Sequence, residues 1–395
     1  MKEIKSENIK NIEKYYNKPE ITREQIKAAI DEALIIIDKN IEDFSNNFPA
    51  SASVNHVYSC TENTDWTPAF WTGMLWLAYE VTNDEKYKKV AEIQCETYKN
   101  RIEKRINTET HDLGFLYTLS CVSAYKLTKN EEYKDTALKA ADALMERYNE
   151  KAGIIQAWGD LNDPSESGRM IVDCSMNIPL LYWAFEVTGN KKYYDAAYSH
   201  IQKTGDYIVR DDASTFHTFY MDVETGEPRF GTTHQGNSDN SCWARGQAWA
   251  IYGFPLSYKY TSEKGMLDIS SKVANYFINR LPEDDICYWD LVFTSGNEER
   301  DSSSAAIAIC GLDELSKGLS EMDDYKTIYK NAGLSMLKSL IDNYAVSSKD
   351  SSNGLLFHAV YSKPHNRGVD ECCIWGDYYY MEALVRAYKD WELYW

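Results

Sequence analysis

Basic charge is scarce in this chain: 42 Lys and Arg stand against 61 Asp and Glu, a formal net charge of −19. A nucleic-acid binder needs a basic footprint, and none is present. No run of about 18 apolar residues occurs, so no membrane span is expected. The opening residues MKEIKSENIK are charged and lack an apolar stretch. No export signal is therefore expected, and the chain reads as cytoplasmic. The nine cysteines are odd in number and never spaced as CxxC, which reads as reduced thiols rather than a disulfide framework. Among seven histidines there is no HxH or HExxH pair, so no metal is expected. Glycine loops of the GxGxxG or Walker type are missing, as is a GxSxG elbow, so no cofactor and no serine triad are expected. Acid–base chemistry by carboxylates remains.

What is present is a repeat. Six segments begin strongly apolar, mostly break at a short polar turn, and run on into a more amphipathic stretch: 71–87, 114–133, 177–193, 246–266, 303–325 and 377–394. Residues 21–44 read as one further amphipathic helix, with Thr22 and Gln25 placed for a capping box. One outer helix first and one inner helix last give twelve helices, six inner and six outer. This predicts an all-α, single-domain (α/α)6 barrel of six helical hairpins over residues 21–395, closed by pairing of the first helix with the last. An open solenoid would need near-constant repeats and polar end caps. Here the spacing grows from 46 to 73 residues, and the last inner helix carries Tyr378, Tyr379 and Tyr380. Residues 1–20 read as a solvated leader. The long irregular stretches, 46–67, 153–172, 211–243, 281–301 and 347–376, all precede inner helices, so function is expected on that end. Residues 215–229 are expected to hold a small hairpin.

Trp66, Asp112, Asp173, Arg245, Asp301 and Asp377 stand at the starts of the six units. If the units are equivalent, these side chains reach one end of the barrel. Asp112, in HDLGF, and Asp173, in VDCSMN, open consecutive inner helices, so their carboxyls are expected to be neighbours. Two carboxyls held together in an apolar setting raise one pKa and create a proton donor. Helix capping is the competing role for either one. Arg245 at a helix start opposes the helix dipole, which suggests that it binds a carboxylate or sugar hydroxyls, or else pairs with an acid. Trp249, one turn on, is placed to stack on a sugar. The loop before them offers His234, Gln235 and the backbone of Gly231 and Thr233. Trp66, Trp158, His217 and Trp243 lie in loops of the same kind. Tyr361, Ser362, His365 and Arg367 are candidates for an anionic group.

These residues closely resemble glycoside hydrolase family 88, the unsaturated glucuronyl hydrolases. The resemblance covers nearly the whole chain and is carried by TPAFWTGMLWLAYE, HDLGF, VDCSMN, SCWARGQAWAIYG and DECCIWGDYYYMEAL. It implies an (α/α)6 barrel. The implied substrate is an unsaturated uronate-containing disaccharide or short oligosaccharide left by polysaccharide lyases on glycosaminoglycans. It implies hydration of the 4,5 double bond, with Asp173 as proton donor and then base, and Asp112 as the second essential carboxylate. By the same match Trp66, Trp158, His217, Gln235, Trp243, Arg245 and Trp249 line the unsaturated ring, and His234 and residues 362–367 lie near the next sugar. Relatives that favour sulfated substrates carry Arg at the His234 position and a Ser-x-x-Ser-x-Lys pattern, where this chain has Ser362, His365 and Arg367. Unsulfated substrates are expected, with 6-sulfated ones admitted through Arg367. An unsaturated rhamnogalacturonyl hydrolase acting on pectin fragments is the alternative. An epimerase or lyase on the same barrel, and a non-catalytic sugar-binding barrel, fit the paired acids less well.

Overall fold

The computed structural model describes residues 3–395. Among them, twelve helical positions follow in order. They are α1 (Arg23–Phe44), α2 (Pro68–Thr82), α3 (Glu85–Glu103) and α4, which joins Leu113–Tyr117, a π-helical turn Thr118–Val122 and Ser123–Thr128. Then come α5 (Glu131–Met145), α6 (Pro179–Thr188), α7 (Lys191–Lys203) and α8 (Ala244–Thr261). The chain finishes with α9 (Lys264–Ile278), α10 (Ser302–Gly318), α11 (Asp324–Ser339) and α12 (Ile374–Tyr388). The even-numbered helices pack in sequence as a ring, α12 returning onto α2, while each odd-numbered helix packs outside its hairpin partner. The odd partner of α12 is α1, so the two ends of the chain close the (α/α)6 barrel. Arg23 lies over the Tyr388 ring at 4.4 Å, and Trp391 Nε1 and Tyr394 OH both donate to Glu80 Oε2 on α2.

The hairpins repeat because the turn chemistry repeats. At the ends of α2, α4, α6 and α8 a Thr hydroxyl bonds back four residues and also accepts the N–H two residues on. Between them Asn83, Lys129, Gly189 and Ser262 adopt the left-handed conformation that ends a helix. Asp84, Asn130 and Asn190 then cap the outer helix from their side chains. Thr22 and Gln25 form the expected capping box at α1. The inner helices are buried on nearly every face, which is why their sequence is apolar all round.

Nine short strands lie in the loops among the described residues: β1 (Phe48–Pro49), β2 (Cys60–Thr61), β3 (Tyr148–Asn149), β4 (Ile154–Ile155), β5 (Arg169–Ile171), β6 (Thr218–Met221), β7 (Pro228–Thr232), β8 (Ala359–Ser362) and β9 (Arg367–Glu371). They pair antiparallel as β1–β2, β3–β4, β5–β6–β7 and β8–β9. The expected hairpin is β6–β7, with β5 added beside it. These pairs stiffen the loops at the end where the inner helices start.

Residues 3–20 are mostly exposed, as expected of a solvated leader, but the segment is docked at three points. Ile4, Ile9 and Tyr15 are buried, Glu7 pairs with Arg280, and Tyr15 OH donates to Asp285. Ile9, Ile12 and Tyr15 follow at spacings of three and Ile12–Tyr15 forms a 3-10 turn, but the period is too short to stand out in a charged segment. The nine cysteines are all free thiols. No helix among the described residues is long and apolar enough to cross a membrane.

Candidate active site at the barrel mouth

Asp112 stands at the start of α4 and Asp173 in the turn that leads into α6, near enough for the Asp112 charge to act on Asp173. Neither side chain caps its helix; Asp112 makes no capping bond, and Asp173 sits inside the first turn of a short 3-10 segment, Val172–Met176. Asn177 ties them together. Its amide donates to the Asp173 backbone carbonyl at 3.3 Å, its Oδ1 accepts the Phe115 N–H at 2.7 Å, and it stands near enough to the Asp112 carboxyl to help hold that group's charge. Gly114 permits this approach, since a Cβ there would stand 2.2 Å from the Asn177 backbone.

The two carboxyls differ in surroundings. Burial pushes Asp112 up to about 6, against the pull of Thr110, whose hydroxyl donates to Oδ2 at 2.7 Å, and with the nearby Asp65 charge adding to the rise. Asp173 is pushed further, to about 7, by burial and then by Asp112, while the charge of Arg245 and the Trp249 indole hold it down in part. Its Oδ2 has no hydrogen-bond partner, and neither does Trp249 Nε1. A carboxyl of this kind keeps its proton near neutral pH and offers it to a bound molecule.

Arg245 is 1% exposed and its donors are engaged inside the protein. Its Nη1 donates to the Val360 carbonyl at 2.5 Å and lies 3.5 Å from Asp301 Oδ2. Its Nη2 donates to the Tyr361 carbonyl at 2.7 Å and to Gln235 Oε1 at 2.9 Å. The guanidinium is sandwiched between Trp243 and Trp375, 4.3 and 4.7 Å from their ring centres. Of the two roles open from the sequence, pairing with an acid is the one seen, and the helix-dipole cost is met by fixing β8. Asp301 caps α10 through the Ser303 and Ser304 N–H groups. Asp377 is likewise buried, accepting Tyr58 OH at 2.9 Å and the Leu356 N–H at 3.0 Å, and burial pushes it to about 7.

Trp249 is also repositioned relative to expectation. It is fully buried, with Phe115 and Tyr379 against it, so its faces are not open to stack on a sugar. What it presents toward Asp173 is the indole N–H. Trp66 is half-buried and donates from Nε1 to Tyr361 OH at 2.9 Å. His217 accepts the N–H groups of His234 and Gln235 on Nδ1, which leaves its proton on Nε2, and burial keeps it neutral.

A second group forms the rim. His234 lies between Trp158 and His365, ring centres 5.7 and 4.7 Å away. Ser362 Oγ is 2.7 Å from His365 Nδ1. The Arg367 guanidinium covers the Tyr361 ring at 4.0 Å and donates to Ser51 Oγ, with over half of the side chain exposed. Gly231 pairs with Phe219 in the sheet, where a Cβ would strike Phe216. Thr233 Oγ1 accepts the Gly236 N–H and shapes the turn that carries His234. Asn177, Thr110, Asp65 and Trp375 were not picked out from sequence; only Asn177, four residues after Asp173, carried a spacing signal.

An (α/α)6 barrel with two desolvated carboxyls among indoles at the starts of its inner helices suits acid–base chemistry of the glycosidase class. The chain belongs to glycoside hydrolase family 88, whose model matches residues 36–392. It is 48% identical to the unsaturated chondroitin disaccharide hydrolase of Streptococcus pneumoniae, covering all of both chains. The crystal structure of unsaturated glucuronyl hydrolase from Streptococcus agalactiae matches it with a TM-score of 0.98 at 47% identity, again over both full chains. A mutant of that enzyme complexed with dGlcA-GalNAc6S matches with a TM-score of 0.90 at 45% identity over both full chains.

Proposed function

We propose that this chain is an unsaturated glucuronyl hydrolase that removes the 4,5-unsaturated uronic acid from the non-reducing end of lyase-generated glycosaminoglycan disaccharides. The observation that carries the chemistry is the Asp173–Asp112 pair, with Asp173 pushed to about 7 and one of its oxygens free of partners. Protonated Asp173 gives its proton to C4 of the vinyl ether. Positive charge develops at C5 and the ring oxygen, beside ionised Asp112. Water adds at C5 and returns a proton to Asp173. The resulting hemiketal opens, and the aglycone sugar leaves. Because the anomeric carbon is not displaced, the spacing of the carboxylates does not sort the reaction into retaining or inverting.

His217, Gln235, Trp243, Trp66 and the Trp249 N–H surround the unsaturated ring in this reading. Trp158, His234, Ser362, His365 and Arg367 meet the next sugar. Lys363 is held by Glu299, whereas Arg367 is over half exposed and paired with Asp65 only at 3.8 Å, so it is the cation on this loop better placed for a 6-sulfate. Unsulfated disaccharides are the preferred substrates, with 6-sulfated ones accepted. The free thiols support a cytoplasmic location. The pectin-type alternative is not favoured, given the glucuronyl and chondroitin relatives.

The test is loss of the ultraviolet band of the conjugated enol ether on unsaturated chondroitin disaccharide, with Asp173→Asn as control. Turnover by the wild type alone supports the reading. Turnover of unsaturated rhamnogalacturonan fragments in place of it would transfer the enzyme to the pectin type.

A further inference from the structure

The HDLGF segment holds a titratable group that the reaction scheme leaves unused. His111 is 2% exposed, and its Nε2 lies 3.3 Å from Asp112 Oδ1. Its other nitrogen, Nδ1, is buried with no hydrogen-bond partner. His200, on the outer helix α7, shows the complementary arrangement. Its Nδ1 accepts the Ile155 backbone N–H at 2.9 Å, and its Nε2 is buried with no partner.

The backbone brings these two rings to one place. The Ile155 N–H meets the His200 ring, and the Ala157 carbonyl accepts the His111 backbone N–H at 2.8 Å. Residues two apart in an extended segment present their backbone groups to the same edge. The His200 ring and the His111 backbone therefore meet one edge of residues 154–157, and the His200 ring feels the charge of His111.

Tautomer bookkeeping then has one consistent solution. A neutral His200 that accepts on Nδ1 carries its proton on Nε2. A neutral His111 that faces a carboxylate oxygen with Nε2 carries its proton there, which leaves Nδ1 an acceptor. The two unpartnered atoms are thus one donor and one acceptor, with no direct bond between them, the pair that a single internal water joins. The polarity runs one way, from the Ile155 N–H through His200 and His111 to Asp112.

We propose that His200 and His111 form a neutral relay of fixed tautomer that orients the Asp112 carboxylate, with His200 acting as a positioning residue through His111. The proposal rests on the reading of Asp112 as the ionised partner of Asp173. Burial pushes both rings down to about 3, with the facing Arg147 guanidinium acting on His111 and His111 acting on His200. Neither ring gains charge at working pH, so the relay orients and does not shuttle protons. Its effect is to aim an N–H at Oδ1 while Thr110 serves Oδ2.

Nitrogen-15 spectra of the histidine-labelled full chain read the tautomers directly. The expected result is both rings as the Nε2–H tautomer, with no titration between about pH 5 and 8. His200→Phe keeps the ring shape and removes the donor. It is expected to lower kcat about ten-fold with KM unchanged, and to move the acid limb of the pH profile upward, because the charged form of Asp112 loses support. His200→Gln restores an acceptor and a donor, and is expected to recover most of the loss. An Nδ1–H tautomer on His111, or a His200→Phe enzyme with wild-type kcat and acid limb, would overturn the proposal. If His200→Phe does not fold, the wild-type spectra decide alone. A wild-type enzyme inactive on every unsaturated disaccharide would refute the functional reading while leaving the tautomer result standing.

Discussion

Replacing Asp173 by Asn separates the chemistry of this site from its energetic cost. Burial raises the Asp173 carboxyl from 3.8 to about 7. A carboxyl whose folded-state value is raised costs the fold nothing while it is protonated in both states. The penalty is absent below about pH 4, grows from 4 to 7 as the unfolded chain ionises first, and is complete above 7. At 1.36 kcal/mol per pH unit the ceiling is about 4 kcal/mol. Asp173 is not wholly enclosed, and about 1–3 kcal/mol is the expected remainder. Asn keeps the shape and never ionises, so Asp173→Asn should be more stable than wild type by that amount at about pH 8, and equal to it near pH 4. The same change removes the proton donor and the base, a loss of at least about 1,000-fold in kcat with little change in KM. Urea titrations at the two pH values, paired with progress curves on unsaturated chondroitin disaccharide, measure both. A stability gain equal at both pH values would show that ionisation is not its source. Activity within ten-fold of wild type would remove Asp173 from the reaction.

The carboxyl pair should give a narrow bell in kcat/KM, falling below about 6 as Asp112 takes a proton and above about 7 as Asp173 loses one, the two limbs belonging to the pair. Gly114→Ala forces Asn177 away from Asp112 and the Asp173 backbone, so activity should drop at least ten-fold along with a destabilisation of about 1–3 kcal/mol, seen in parallel rate and melting measurements. Arg245→Lys loses the planar fork that holds the Val360 and Tyr361 carbonyls and should cost about 2–4 kcal/mol and raise KM, since β8 and its rim residues are then free to shift. Arg367→Ala should leave kcat/KM on the unsulfated disaccharide within about three-fold and lower it about ten-fold on the 6-sulfated one, as expected of a partly exposed cation–anion contact.

The barrel was legible because its cause is local. Each hairpin needs an inner helix apolar on all sides, a helix-ending residue and a polar cap, and all three are written in segments such as WTGMLWLAYEVTND. Counting those segments gives twelve helices, and the odd helix at each end gives closure. The adjacency of Asp112 and Asp173 followed from the same count, because consecutive inner helices must touch. Less was legible in the leader, where Ile4, Ile9 and Tyr15 find burial because distant segments meet them: Asn279 accepts the Lys10 N–H, Asn331 donates to the Tyr15 carbonyl and the Asp211 carbonyl accepts the Lys5 N–H. A short local period does not say on which surface it docks.

Sequence alone thus determined the fold class, the pair of acids and the end of the barrel where they gather, since these depend on period, capping and order along the chain. Tertiary structure decided what each side chain does there. Arg245 looked free to meet a ligand, but residues 56 and more positions away take up its donors, at Asp301, Val360 and Tyr361. Trp249 looked like a stacking face, but Phe115 and Tyr379 close over it and leave its N–H beside Asp173. Desolvation, which sets the proton on Asp173 and takes it off His217, depends on how many distant atoms exclude water, a property of the packed ring and of no single segment.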